Sequence, residues 1–463
     1  MKRLFVTSSR ELLAKARALY PKQPFRINTD LGEIVVLPPN FADEIRNEPR
    51  LSFAAAVYAD FHGDIPGFEP SGLGGSADQL LQIVARKQLT KLLAKVTEPL
   101  SEEAAVALSV NLGESTEWRE IRLKDALLDV VARLSSRVFL GNKLCRDDSW
   151  LTITKKYSVT MFIAATKLRM YPRASRKIVH WFLPECRQLR AELEESRRVV
   201  LPVIEDRRKA REAAAASGET IPYFDDALDW ADQEAAAKGI TYDPATFQLI
   251  LSLAAIHTTT DLIEQVMLDL AQHPTLFQAL RNEIVNVLRA NGWKKTALYN
   301  MKLLDSVIKE SQRMKPSSIV SMRRQVQGNL ELSNGLSLKK GMRVAVDSCR
   351  LWDSSVYENP AEWDGYRFLK LRAQSGKENM AQLVATSADH LGFGHGEHAC
   401  PGRFFAANEV KVALCHLLMK YDWKLVPGTD IQPVMSGTLA NSSPTVRVLI
   451  QRRERVELDI DVI

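Results

Sequence analysis

Cys400 lies in the run Phe393-Gly394-His395-Gly396-Glu397-His398-Ala399-Cys400-Pro401-Gly402-Arg403, which gathers a thiol, two imidazoles and several glycines. Glycines at 392, 394 and 396 permit unusual backbone angles and let a flat ligand come close to the chain. Pro401 and Gly402 lead into a helical run, FFAANEVKVALCHLLMKY, so the thiol sits at a helix N-terminus. Free N–H groups and the helix dipole favour a thiolate there. Such a thiolate can bind iron from one side while neighbouring amides temper its basicity. Three other readings compete. A dinucleotide loop of the G-x-G-x-G kind lacks the acidic residue that should follow. A zinc site from His395, His398 and Cys400 lacks a fourth ligand nearby. A buried structural cysteine is the plainest alternative for a thiol considered alone.

Other chemistry-bearing pairs lie elsewhere in the chain. Glu310 and Arg313 are spaced i, i+3, which places both charges on one helix face; taken alone, such a pair is an ordinary surface salt bridge. Trp118 and Arg122 are spaced i, i+4, the interval of neighbours on one helix. Thr258, Thr259 and Thr260 fall in the middle of an apolar helical run, directly after His257. A threonine in such a place commonly bonds back to the i−4 carbonyl, but three together are harder to explain that way.

The elements that must position these residues can be read from periodicity and punctuation. Residues 24–39, PFRINTDLGEIVVLPP, predict a β-hairpin around Asp30-Leu31-Gly32. Residues 40–60 read as a helix, and residues 76–315 as predominantly helical, with Ser101 behind Pro99 starting one helix. Residues 207–218 read as an exposed, solvated helix running into a linker near Thr220-Ile221-Pro222. The most apolar helix begins at Asp243-Pro244, a cap followed by proline, and stops near His273-Pro274; apolar nearly all round, it should be buried and central. Beyond Pro316 strand-like runs are punctuated by Asn334-Gly335 and Gly341. A helix over 404–420 and short strands complete the chain. The reading is mainly α with a small β-rich portion, in one compact unit.

The 463 residues are 46% hydrophobic and 25% charged, enough to bury a large core and a cofactor. The formal net charge of +6 is small and dispersed, which argues against nucleic acid as a partner. The five cysteines, Cys145, Cys186, Cys349, Cys400 and Cys415, are odd in number and far apart, so a disulfide framework is not expected and a reducing compartment fits. No apolar run reaches the roughly 20 residues that a membrane span needs.

Taken together, these motifs resemble the cytochrome P-450 superfamily. Phe393, Gly396, Cys400 and Gly402 meet its F-x-x-G-x-x-x-C-x-G loop, and Glu310 and Arg313 meet its E-x-x-R. Pro360 to Phe368 is similar to the later loop that supplies a third member, here Arg367. The resemblance implies the P-450 fold, mainly α with a small β-rich lobe, and haem b with Cys400 as axial ligand. It further implies His398 on a haem propionate, joined by Trp118 and Arg122 as a helical W-x-x-x-R and by Arg323 or Arg324, Arg324 being favoured. Phe393, Ala255 and Gly402 should also line the haem. Thr258 aligns with the threonine that organises water for proton delivery, with Ala254 and Ala255 ahead of it and His257 where the family carries an acid; His257 either relays protons or plays a structural part. Glu310, Arg313 and Arg367 should form a structural lock. Ile256, Ser317, Ser318, Ile319, Met322, Thr438 and Leu439 should line the substrate pocket.

The implied reaction is monooxygenation with O2 and NADPH electrons, delivered by an NADPH-cytochrome P-450 reductase and in some members cytochrome b5. A haem-thiolate isomerase or dehydratase needing no reductase, or a haem-binding sensor, is the alternative. Stretches such as EIRNEPRLSF, SSRVFLG and AAIHTTTDL are similar to fungal biosynthetic members, which implies a bulky apolar terpenoid, steroid or related substrate. The same resemblance implies a monomer at the endoplasmic reticulum membrane, with residues 1–23 a linker behind a missing anchor and 24–463 the catalytic domain. Lys91, Arg119, Lys124 and Lys411 are then candidates to face the reductase.

Overall fold

A computed structural model describes residues 2–74 and 79–463, so Met1 and residues 75–78, near the start of the expected helical stretch, lie outside the described residues. The helices that matter here are α1 (Lys2–Leu19), α2 (Pro184–Ser217), α3 (Pro244–Gln272), α4 (Lys302–Met314) and α5 (Arg403–Lys420). The strands are β1 (Phe25–Thr29), β2 (Gly32–Leu37), β3 (Leu51–Ser52), β4 (Arg119–Arg122), β5 (Val320–Val326), β6 (Leu330–Glu331), β7 (Ser337–Leu338), β8 (Arg343–Asp347), β9 (Tyr421–Leu425), β10 (Val434–Ser436), β11 (Leu439–Asn441) and β12 (Arg447–Arg452). No helix among the described residues is long and apolar enough to cross a membrane.

The chain divides into two compact units rather than the one expected. One comprises the chain up to Ala56, Ala104–Leu127 and Thr258–Ile463; the other comprises Val57–Glu103 and Leu128–His257. All the strands belong to the first unit. Its main sheet has the order β1-β2-β8-β5-β3, in which β2 and β8 run parallel and the other pairs antiparallel. The hairpin forms where it was expected. Valines and isoleucines favour extended backbone, Gly32 takes φ +109°, and the Thr29 hydroxyl donates to Gly32 O at 2.8 Å. One face of the sheet packs Val35, Leu37, Phe41, Met322 and Val344 together, and the other packs Leu13, Phe25, Val36, Ile319 and Val320.

Three expectations on local structure need correction. Residues 1–23 are not a linker: α1 buries Phe5 and Leu13, and Arg17 pairs with Asp347 at 3.0 Å. Residues 40–60 are not one helix, because β3 interrupts them and extends the main sheet against β5. Residues 207–218 are not all solvated surface. They end α2 at Gly218, whose φ of +72° closes the helix, but Arg207 is buried against Asp226 and Asp229.

α3 and α4 start as their residues dictate. Asp243 accepts the Ala245 N–H at 3.0 Å, and Pro244 occupies a position that needs no N–H donor. Glu283 accepts the N–H groups of Leu303 and Leu304 at 2.7 and 2.9 Å, capping α4 from another helix.

Candidate haem-thiolate site

Cys400 lies two residues before Gly402, the N-cap of α5. Its N–H donates to Phe393 O at 2.8 Å, and its carbonyl accepts from Arg403 Nη1 at 3.0 Å. The loop is folded by backbone bonds of 2.9 Å from Gly394 to Leu391 and 3.0 Å from Ala399 to Gly396. Burial pushes the thiol up from its ordinary pKa, while the amides of Gly402 and Arg403 and the Arg403 charge pull it back toward the thiolate. The site thus has a half-buried cysteine with donors that favour its charged form.

Glycine is required at two points of this loop. Gly396 has φ +77°, and a Cβ there would lie 2.4 Å from Arg46 Cβ and 2.7 Å from its carbonyl oxygen. A Cβ on Gly392 would lie 2.3 Å from Gln312 Oε1, the atom that meets His390 Nε2 at 3.1 Å.

His395 is buried and already engaged: Nε2 lies 3.0 Å from Asp43 Oδ1 and 3.3 Å from Arg46 Nη1, and Nδ1 lies 3.3 Å from Thr386 Oγ1. Its job is to fasten the loop, which removes the zinc reading. Among the described residues no group of three or more His, Cys, Asp or Glu side chains could hold a metal ion. His398 is half-buried one residue from Ala399. Asp43, Arg46, Asn47 and Gln312 are loop-holding residues that the sequence did not reveal, Asn47 Oδ1 accepting the Glu397 N–H at 2.8 Å.

Arg324 is 2% exposed and has no acidic partner among the described residues. Nη1 donates to Arg323 O at 2.8 Å, while Nε and Nη2 find no acceptor among the described residues. Burial alone lowers its pKa to about 10. A bulge in β5 between Ser321 and Arg324, with Met322 at φ +51°, sets the register at this point. An isolated buried guanidinium is costly unless a carboxylate meets it, so Arg324 fits a haem propionate as Cys400 fits the iron. Arg323 is half-buried.

Trp118 and Arg122 do not form a helical pair. Residues 119–122 are β4, paired antiparallel with β12, so positions four apart are not neighbours on a helix face. Trp118 is 41% exposed with Lys424 Nζ 4.3 Å from its ring centre, and Arg122 points to Asp125 at 3.9 Å. Local charge and indole spacing mimicked a helix where the sheet edge prevailed.

On α3, the otherwise buried run is interrupted at Ala254 and Thr258, which are exposed, while Ala255 and His257 are half-buried. Ile256 is wholly buried, so it does not line a pocket as expected. Ile319 and Met322 likewise pack into the two faces of the main sheet. Ser317, Ser318, Thr438 and Leu439 are brought together: Ile319 N donates to Thr438 O at 2.9 Å, Ala440 N to Ser317 O at 3.1 Å, and Ser318 bridges Leu439.

Glu310 and Arg313 are joined by Arg367, whose Nε donates to Glu310 Oε1 at 3.0 Å. Arg313 also donates to the carbonyls of Leu351 and Pro360 at 2.6 and 2.8 Å, tying α4 to the later loop. Of the basic candidates, Lys91 is exposed and Arg119 half-buried. Lys124 donates to Ser442 O at 3.1 Å. Lys411 is buried, ion-paired with Asp305 and bonded to Leu298 O at 2.9 Å, and so cannot serve as a docking charge.

The sequence profile of the family described as cytochrome P450 matches residues 82–450. The chain is 52% identical to cytochrome P450 monooxygenase 2 of Gibberella fujikuroi, over 100% of this chain and 88% of that protein. It is 48% identical to cytochrome P450 monooxygenase hepE of Aspergillus oryzae, over 98% of this chain and 83% of that one. Among solved structures it is similar to the cytochrome P450DA heme domain, at TM-score 0.69 and 17% identity, covering 96% of this chain and 93% of that one. The retinoic-acid-bound cyanobacterial CYP120A1 gives TM-score 0.67 at 17% identity, covering 98% and 96%. With a cysteine loop and a lone buried arginine that suit haem, the chain belongs to the cytochrome P450 family and is a monooxygenase.

Proposed function

We propose that this enzyme oxidises a bulky apolar fungal metabolite, of terpenoid or related type, using O2 and NADPH electrons passed through a reductase at the endoplasmic reticulum membrane. The observation that carries the reading is Cys400 at the head of α5, with the amides of Gly402 and Arg403 favouring its charged form. Haem, when bound, supplies the oxygen activation that places one atom of O2 in a substrate C–H bond and releases the other as water.

The chain's own residues bind, orient and supply protons. Cys400 offers the sulfur ligand, and Arg324 offers two nitrogens, Nε and Nη2, that have no partner among the described residues, to a carboxylate; His398 and Phe393 stand in the same loop as the ligand. Thr258, exposed on α3, would order water, and His257 beside it would pass a proton. Glu310, Arg313 and Arg367 keep α4 and the later loop in register. Ser317, Ser318, Thr438 and Leu439 present small and aliphatic surface suited to an apolar substrate.

The test is the spectrum of the reduced protein with carbon monoxide. A strongly red-shifted Soret band is expected, and Cys400→His must abolish it; a variant that keeps the band refutes the ligand assignment. Optical titration with a panel of fungal terpenoids then reads which compounds displace water from the iron, and a panel in which only small charged molecules do so overturns the substrate class.

A further inference from the structure

Glu264 lies on α3 six residues after Thr258, about 9 Å further along the helix axis. It has no exposed surface, and neither carboxyl oxygen meets a well-aligned hydrogen-bond partner among the described residues. The hydroxyl of Ser442, just beyond β11, is also buried and unpartnered. It favours the charged form of Glu264.

The nearby cations are committed elsewhere. Lys315 is ion-paired with Asp261, and Lys124 donates to Ser442 O at 3.1 Å. Asp261, three residues from both Thr258 and Glu264, also accepts the Ser442 N–H at 2.7 Å. Burial, resisted by Lys124, reinforced by Asp261 and resisted again by Lys315, pushes the Glu264 carboxyl up to about 7. Three buried polar atoms, two on Glu264 and one on Ser442, lack well-aligned partners among the described residues, a pattern that a proton on the carboxyl would relieve.

We propose that Glu264 is an internal proton store on α3, which passes protons through a water held with Ser442 toward the Thr258 turn. This rests on the function proposed above. Monooxygenation consumes protons (RH + O2 + 2 e− + 2 H+ → ROH + H2O), so a buried carboxyl on the same helix has a demand to meet. The O–H bond of Glu264 breaks as one forms on the water, and the carboxylate regains its proton from solvent. Glu264 acts through Thr258 and does not touch the substrate, so it is a positioning and supply residue.

The test uses the haem-loaded protein with an NADPH-dependent reductase, without substrate. Dioxygen then leaves as hydrogen peroxide (O2 + 2 e− + 2 H+ → H2O2) or as water (O2 + 4 e− + 4 H+ → 2 H2O), and a good proton supply favours water. In the wild type the share of NADPH recovered as peroxide is expected to be low in mild acid and to rise as pH passes about 7. Glu264→Gln should show a high, flat share, and Glu264→Asp should keep the limb. Infrared difference spectra of the ferric protein should show a protonated carboxyl titrating near the same pH, absent in Glu264→Gln and shifted upward in Ser442→Ala. A Glu264→Gln protein with the wild-type limb overturns the proposal, as does a wild type without the carboxyl band. If the carbon monoxide band fails in the wild type, the haem-thiolate reading falls while the carboxyl titration still stands or falls by itself.

Discussion

Glu310 and Arg313, one turn apart and both wholly buried, meet through two hydrogen bonds of 2.8 Å. Two charges out of water are sustained only because Arg367, the Asp364 N–H and several carbonyls satisfy their remaining valences. Removing one member leaves another uncompensated. Glu310→Ala is therefore expected to cost about 3–5 kcal/mol of stability. Denaturant unfolding of the purified protein measures it; a loss under about 1 kcal/mol would show that the cluster relaxes freely.

Arg324 makes the opposite prediction for the haem-free protein. Its guanidinium is buried without a counter-charge, so R324L should stabilise the apoprotein by about 1–3 kcal/mol. The same change should speed haem transfer to apomyoglobin, because a carboxylate partner is lost. Thermal melts of apoprotein and transfer kinetics of holoprotein must move in these opposed directions.

Gly396→Ala separates close packing from backbone preference. Both Gly396 and Gly428 have positive φ, but only at Gly396 would a Cβ meet Arg46; at Gly428 nothing lies within 4 Å. The expected cost at Gly396 is about 2 kcal/mol or more, with reduced haem content, against about 1 kcal/mol and full haem content at Gly428. Equal losses at both positions would mean that Arg46 yields.

Asp269 sets a pH dependence. Burial raises its carboxyl to about 6 from 3.8, although Ser311 and Gln265 pull it down. The folded state therefore holds its proton more tightly than the unfolded chain. Stability is lost as pH rises from about 4 to about 6, and the penalty is constant above that. Asp269→Asn removes the penalty, so relative to wild type it should gain about 1 kcal/mol between pH ~5 and pH ~8. Urea midpoints at the two pH values check the sign, and a relative gain in acid instead would refute it.

The sequence by itself determined what depends on short-range pattern. The cysteine loop, the E-x-x-R pair, the hairpin and the apolar helix α3 are written in neighbouring residues, and the fold brings Glu310, Arg313 and Arg367 together as the motif implied. Tertiary structure decided what depends on partners distant along the chain. Trp118 and Arg122 have helical spacing, yet hydrogen bonding to β12 makes that segment a strand. Ile256, Ile319 and Met322 have the apolar character of pocket walls, but whether an apolar side chain faces a cavity or a core is settled by what packs against it. Lys411 looks like a surface charge and is buried against Asp305. Glu264 is an unremarked acid in the sequence; burial in the folded protein raises its carboxyl, because the cost of a charge depends on the whole environment around it.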